Sequence, residues 1–329
     1  MKTVFKLATI VLTLILSTSI ATAQKEAKKR DYRVNTISMN NSSGSLKFQN
    51  GFWTATKEDG VIHIQLTNSR KSNGSFFISF STDEEELTKN GSASFELNRA
   101  SGKMVFNGQF PQKESMGKFT FTKNSDFENF LKSKVLTNIS KSENHYFFKL
   151  FLGDVTKSYV NSIQKRGYKP TLKQLSKLAI HDVSLAYIDA LERTNYRNLE
   201  LDMLIKFTIH DISIDYINEL DKAGYGHIDA QMLKRFAIHD VSANYIKDLS
   251  AAGYGNLEAN MLKRFATHNI NSDYIKSLLA ANISRPSAND IKKAKIHRVS
   301  ANFIKEARSK GHNSQELSDY IRLKIRGSI

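Results

Sequence analysis

Five histidines, His181, His210, His239, His268 and His297, recur at a constant spacing of 29 residues. Three of them precede aspartates: Asp182, Asp211 and Asp240. An imidazole beside a carboxylate is the orienting part of a nucleophilic triad, and a row of imidazoles invites a metal ion. The surrounding residues favour neither chemistry. The chain has no cysteine, and no serine set in a nucleophile's local context accompanies the His-Asp pairs. Zinc holds its nitrogens about 2.1 Å away, whereas packed helices lie about 8–10 Å apart. Successive members of the row therefore cannot share an ion. The role expected of these histidines is structural, bonding a turn at a helix end. No metal, no cofactor and no enzymatic activity are expected.

A second chemistry lies in the cations. Lys206, Arg235, Arg264, Lys293 and Arg322 keep the same interval, with Lys234, Lys263 and Lys292 beside them. Lys247, Lys276 and Lys305 form a further column. Aligned by stacking, these charges make two stripes. Such stripes are either a solvated face or a surface for an anionic or protein partner, whose affinity would fall steeply with salt. Tyr187, Tyr216, Tyr245 and Tyr274, with Phe303, form an aromatic series at the same period, suited to packing between units.

The elements that position these residues are marked at their ends. Ser184, Ser213, Ser242, Asn271 and Ser300 are favoured N-cap residues, each worth about 1 kcal/mol against alanine. Apolar pairs such as Val241 with Ile246 and Ile270 with Ile275 flank them as hydrophobic staples. The helices that follow should stop at Asn195, Gly224, Gly253, Asn282 and Gly311, types that accept a left-handed turn. The other helix of each unit follows Glu200, Asp229, Glu258 or Ser287, and Thr171 with Gln174 offers a capping box. A short helix pair cannot bury its apolar face alone, so neighbouring units should stack as an α-solenoid of 29-residue two-helix repeats, with atypical end units as caps.

Upstream the period changes to two. Val61 to Leu66, Phe76 to Phe80, Ser92 to Leu97, Met104 to Phe106 and Phe119 to Phe121 read as strands punctuated by glycines. An antiparallel β-sandwich or barrel is expected, with Trp53 in its core and a closing helix carrying Phe127 and Phe130. His63 reads as an exposed strand residue. The acidic run from Asp83 to Glu86 reads as a solvated hairpin tip, since it lacks the ligand spacing of a calcium loop. The fold class is thus α+β in two domains: a β-rich domain over 31–134, a linker over 135–144 and a helical repeat domain over 145–329.

Residues 1–23 combine Lys2 and Lys6, an apolar run and an Ala21-Thr22-Ala23 cleavage site, which reads as a secretory signal peptide. Its removal takes the formal charge from +16 to +14 by loss of those two lysines, and leaves no membrane-spanning segment. A periplasmic or secreted chain is expected. From residue 141 onward 29 Lys and Arg face 20 Asp and Glu, a balance that favours a protein or an anionic envelope component as partner. Nucleic acid suits an exported chain poorly.

The residues also carry a family likeness. Gly51-Phe52-Trp53-Thr54-Ala55, Ala100-Ser101-Gly102-Lys103-Met104-Val105-Phe106-Asn107-Gly108 and Gly117-Lys118-Phe119-Thr120-Phe121 resemble a β-rich module of bacterial exported proteins. The Leu-x-x-Phe-x-Ile-His-x-Val-Ser-x-x-Tyr-Ile unit is similar to short helical repeats that follow that module. Both resemble extracytoplasmic parts of proteins similar to β-lactam-sensor-type membrane metallopeptidases. The resemblance implies a sensing or scaffolding role outside the inner membrane. It implies no protease activity, because the His-Glu-x-x-His zinc motif and the membrane bundle are absent from this sequence. Those repeats commonly carry glycine after the histidine, where this chain has Asp182, Asp211, Asp240 and Asn269. Asp and Asn tolerate the same left-handed geometry.

Overall fold

The computed structural model describes residues 36–40, 50–68, 75–111, 114–135 and 144–327. The signal peptide expected over 1–23 and most of the linker expected over 135–144 lie outside the described residues. The chain forms two compact units that divide between Leu185 and Ala186.

The first unit opens with eight strands: β1 Thr36–Asn40, β2 Asn50–Glu58, β3 Val61–Thr67, β4 Ser75–Asp83, β5 Leu87–Lys89, β6 Ser94–Arg99, β7 Gly102–Asn107 and β8 Glu114–Lys123. All pairings are antiparallel, in the order β1-β4-β3-β2-β8-β7-β6-β5. The sheet curls into a half-barrel. Among the described residues neither the two-sheet sandwich nor the closed barrel expected from the strand pattern forms, because β1 and β5 stay as two separate edges of one sheet.

Alternation decides the sheet's inner face. Trp53 and Ala55, Ile62, Ile64 and Leu66, Phe76, Ile78 and Phe80 are buried while their neighbours face outward. The core is dense in rings. Phe95 stacks on Phe106 at 4.7 Å between centroids, and Trp53 meets both edge-on at 5.2 and 5.7 Å. Gly117 makes the close approach possible: a Cβ there would lie 1.9 Å from the Asn107 carbonyl oxygen.

Helices cover this face. Helix α1, Ser125–Lys132, starts at Asn124, whose side chain accepts from the amides of Asp126 and Phe127. Helix α2, Asn144–Leu152, is apolar on nearly every side, and such a helix belongs inside a core. Its Phe147, Phe148, Leu150, Phe151 and Leu152 join the sheet residues in one buried cluster, as do Val160 of α3, Lys157–Lys165, and Leu172, Leu175 and Ala179 of α4, Leu172–Ile180. Arg99 pins the arrangement. From the end of β6 its guanidinium donates to the carbonyls of Phe151 (2.8 Å) and Leu152 (2.9 Å) and to Glu86 (3.3 Å). A cation there satisfies the orphan carbonyls at a helix C-terminus.

The remaining helices are α5 Leu185–Leu191, α6 Leu201–Ile209, α7 Ile214–Leu220, α8 Ala230–Ile238, α9 Ala243–Ala251, α10 Ala259–Thr267, α11 Ser272–Ala280, α12 Ala288–Ile296, α13 Ala301–Ser309 and α14 Leu317–Arg326. Among the described residues that makes fourteen α-helices, none long and apolar enough to cross a membrane. In the second unit α6, α8, α10, α12 and α14 pack side by side in that order, and α9, α11 and α13 do likewise.

Four of the N-caps expected on the second helices form. The side chains of Ser213, Ser242, Asn271 and Ser300 accept from the amides of Tyr216, Tyr245, Tyr274 and Phe303. Thr171 and Gln174 make the capping box. Gly224, Gly253, Asn282 and Gly311 take positive φ. Asn195 does not, and the left-handed residue of that turn is Asn198 at φ 57°. There Thr194 donates to the Leu191 carbonyl, and Glu192 accepts from the Asn198 amide, which prolongs the turn.

Candidate functional site

The five histidines each terminate a helix. His181, His210, His239, His268 and His297 are the C-cap residues of α4, α6, α8, α10 and α12, and their amides bond back into the last turn. The residues that follow, Asp182, Asp211, Asp240, Asn269 and Arg298, all adopt left-handed φ between 46° and 55°. Among the described residues no group of three or more His, Cys, Asp or Glu is placed to hold a metal. Burial pushes the His181 imidazole below its usual range, and the charges of Lys177 and Lys149 add to this. Lys149 is itself pushed down by burial and by Lys177 and Lys173. Lys177 and Lys149 thus flank an imidazole whose neutral form their charge favours.

The tyrosines make bonds that their spacing alone did not specify. Tyr159 in the first unit donates to the Val183 carbonyl at 2.7 Å. In the second unit Tyr187, Tyr216, Tyr245 and Tyr274 donate to the carbonyls of Ile212, Val241, Ile270 and Val299 at 2.5 to 2.8 Å. Each bond runs from one helix to the turn just before the next helix but one. Burial holds these four phenols well above their usual range. A second series, unnoticed in the sequence although equally periodic, is formed by Tyr196, Tyr225 and Tyr254. These donate to the carbonyls of Ile228, Leu257 and Pro286 at 2.7 to 2.9 Å. Burial pushes Tyr196 up to about 12, with Asp229 and Asp221 adding to it. Where the next tyrosine would stand the chain has Ile283, and the amide of Ser284 donates to the Gln315 carbonyl instead.

The cationic columns lie on the surface. Lys206, Arg235, Arg264, Lys293 and Arg322 are exposed at one helical position of α6, α8, α10, α12 and α14. Lys247, Lys276 and Lys305 are exposed on α9, α11 and α13. Of the first column, Arg322 is engaged by Asp319. Sequence reasoning missed the row beside it. Ile209, Ile238, Ile296 and Ile325 are 45, 44, 47 and 59% exposed, with Thr267 at the intervening place. The signal was available: helical periodicity puts the residue before each histidine off the apolar stripe. One row further toward the N-termini stand Gln231, Asn260 and Asn289, also exposed.

In the first unit, His63 faces the outer side of the sheet and lines a cavity of about 640 Å³ with Thr54, Thr56, Gln65, Glu114 and Met116. Its Nδ1 lies 2.9 Å from the hydroxyl of Ser81, which is buried. His63 and Glu114 both register with Thr56, from opposite neighbouring strands. The acidic run is no solvated tip. Glu84 pairs with Lys57 at 2.5 Å, and Glu86 accepts from Arg99 and from Thr82 (2.9 Å). No protein-family model, curated protein or solved structure matches the chain.

Proposed function

We propose that the protein is a non-enzymatic, exported interaction scaffold, in which a β-rich domain accompanies an α-solenoid of 29-residue two-helix repeats that presents the binding surface. The observation that carries this reading is the recurrence of exposed cations and isoleucines at fixed positions of successive helices. Folding alone has no need of them: the buried residues of the same helices, such as Leu233 and Phe236 of α8, supply the packing. The two tyrosine series support it further, since they tie neighbouring helix pairs rigidly and so fix the spacing between surface groups. The likeness to extracytoplasmic sensor modules adds a sensing role outside the inner membrane.

Photocrosslinking tests the proposal. A photoreactive side chain placed at Ile238 should give one discrete adduct in a cell-envelope fraction, and the same group at Asp248, on a second helix, should not. Equal or absent labelling at both positions would refute it. The exported state has its own check: the mature chain should begin at Gln24.

A second reading is favoured by the charge itself. Over residues 288–316 seven Lys and Arg face three Asp and Glu, whereas over 201–229 two face six. Anionic glycans or lipid head groups would bind through the basic columns, most strongly toward that end. Arg235→Glu with Arg264→Glu should then abolish retention on an acidic polysaccharide column. Unchanged retention rejects this alternative.

A further inference from the structure

We infer that the exposed face of α8, α10 and α12 binds an extended peptide carrying an acidic residue at every third position, an inference that rests on the scaffold reading above. Three rows cross these helices. Gln231, Asn260 and Asn289 form the first, Arg235, Arg264 and Lys293 the second, and Ile238, Thr267 and Ile296 the third. Within each helix the three members stand at i, i+4 and i+7, which share one face. All nine are exposed. Among the described residues the amide and cationic side chains of this face have no hydrogen-bond or ion-pair partner.

Each row has a distinct chemistry. A carboxamide offers a donor and an acceptor together, which matches the N–H and C=O of a peptide backbone. Guanidinium and ammonium groups take carboxylates. Exposed isoleucine takes apolar side chains. A lipid surface would use the cations and isoleucines, but its fluid head groups offer no fixed spacing to match a row of amides. A polysaccharide would use amides and cations but leaves isoleucine uncovered. A peptide uses all three rows.

The spacing narrows the conformation. Packed neighbouring helices lie about 8–10 Å apart. A polyproline II chain turns once every three residues and rises about 3.1 Å per residue, so its like-facing side chains recur about every 9 Å. Every third side chain can then meet the same row on consecutive helices. A β-strand fails here, since its third residue faces the opposite side. The charge of the unit sets the direction of the ligand's acidity. Residues 186–258 hold seven Lys and Arg against twelve Asp and Glu, and residues 259–329 hold fourteen against five. The attraction for the peptide's acidic residues should be strongest at α10 and α12.

The test uses the full mature chain and a fluorescein-labelled peptide of four Glu-Pro-Leu triplets, read by fluorescence anisotropy. A second peptide of the same composition carries its glutamates consecutively. The triplet peptide should bind about 10-fold more tightly than the rearranged one, and Arg264→Glu should weaken it by about 10-fold or more. Asn260→Ala should weaken it a few-fold while leaving the salt dependence unchanged, a result that charge alone cannot produce. Circular dichroism checks that the variants stay folded, and Arg264→Gln replaces Arg264→Glu if reversal disturbs the helices. Equal affinity for both peptides, or no binding of either, overturns the inference. So does binding to phosphatidylglycerol vesicles that Ile238→Ser abolishes while the triplet peptide is ignored. Photocrosslinking from Ile238 is independent of these peptides, so the scaffold reading can survive the loss of this one.

Discussion

The two compact units hold themselves together in different ways. The first relies on long-range burial: residues from β2 to α4 share one aromatic core, and Arg99 joins β6 to carbonyls more than fifty positions away. The second relies on near neighbours, with buried apolar residues on each helix and tyrosine bonds that reach 25 or 32 positions along the chain. Damage to the first should therefore spread through its whole unit, while damage to the second should stay local.

The largest expected effect is Arg99→Ala. It removes a cation that is 3% exposed, leaves two carbonyls without their donor and takes the counter-charge from Glu86, which should cost about 3–5 kcal/mol in denaturant unfolding. The tryptophan signal of Trp53 should report the loss, since that residue sits in the same core. If helices of the second unit melt with it, the contrast between the units is wrong. Tyr245→Phe comes next. It leaves the Ile270 carbonyl without its donor and should cost about 1–3 kcal/mol. Hydrogen exchange should accelerate around Tyr245 and Ile270 only; a rise throughout the unit would again break the comparison.

Alkaline pH sharpens it. The phenols of Tyr187, Tyr216, Tyr245 and Tyr274 are raised by burial, so above the ordinary tyrosine value the unfolded chain loses protons that the folded chain retains. The stability they contribute is fully present below about pH 10 and is lost as pH rises through the folded values. Helical circular dichroism should therefore fall steeply in base, with a shallower slope for each tyrosine replaced by phenylalanine. An unchanged slope would show that these phenols ionise freely. The smallest effect concerns Arg298, at φ 55° where the equivalent positions carry Asp or Asn. Arg298→Asn should raise stability by about 0.5–1 kcal/mol in thermal melts, and a loss would mean the Arg298 side chain supports the turn.

The parts legible in the sequence were those with local causes. Ser213, Ser242, Asn271 and Ser300 declare themselves because an N-cap needs only its own side chain and the amide three residues on. The strands of the half-barrel were legible from alternation, but its closure was not, because alternation marks a buried face without saying how many strands share it. Arg99 could not be found, since its partners Phe151 and Leu152 meet it only after the sheet and α2 pack. At the candidate site the cations were visible as a period. Ile238 and Ile296 escaped notice because an apolar residue in a helix is ordinarily read as core.

The tyrosine bonds end on backbone carbonyls, and a carbonyl is the same acceptor whatever residue carries it. Were residues 230–258 excised, Tyr225 would meet the carbonyl of Pro286, which already serves Tyr254, and Tyr216 would meet that of Ile270, which already serves Tyr245. The joint would be made from parts that fit elsewhere in the molecule. On the scaffold reading, genetic loss or duplication of one such stretch would thus shorten or lengthen the row of exposed groups by one member and leave the surviving tyrosines with the same kind of acceptor.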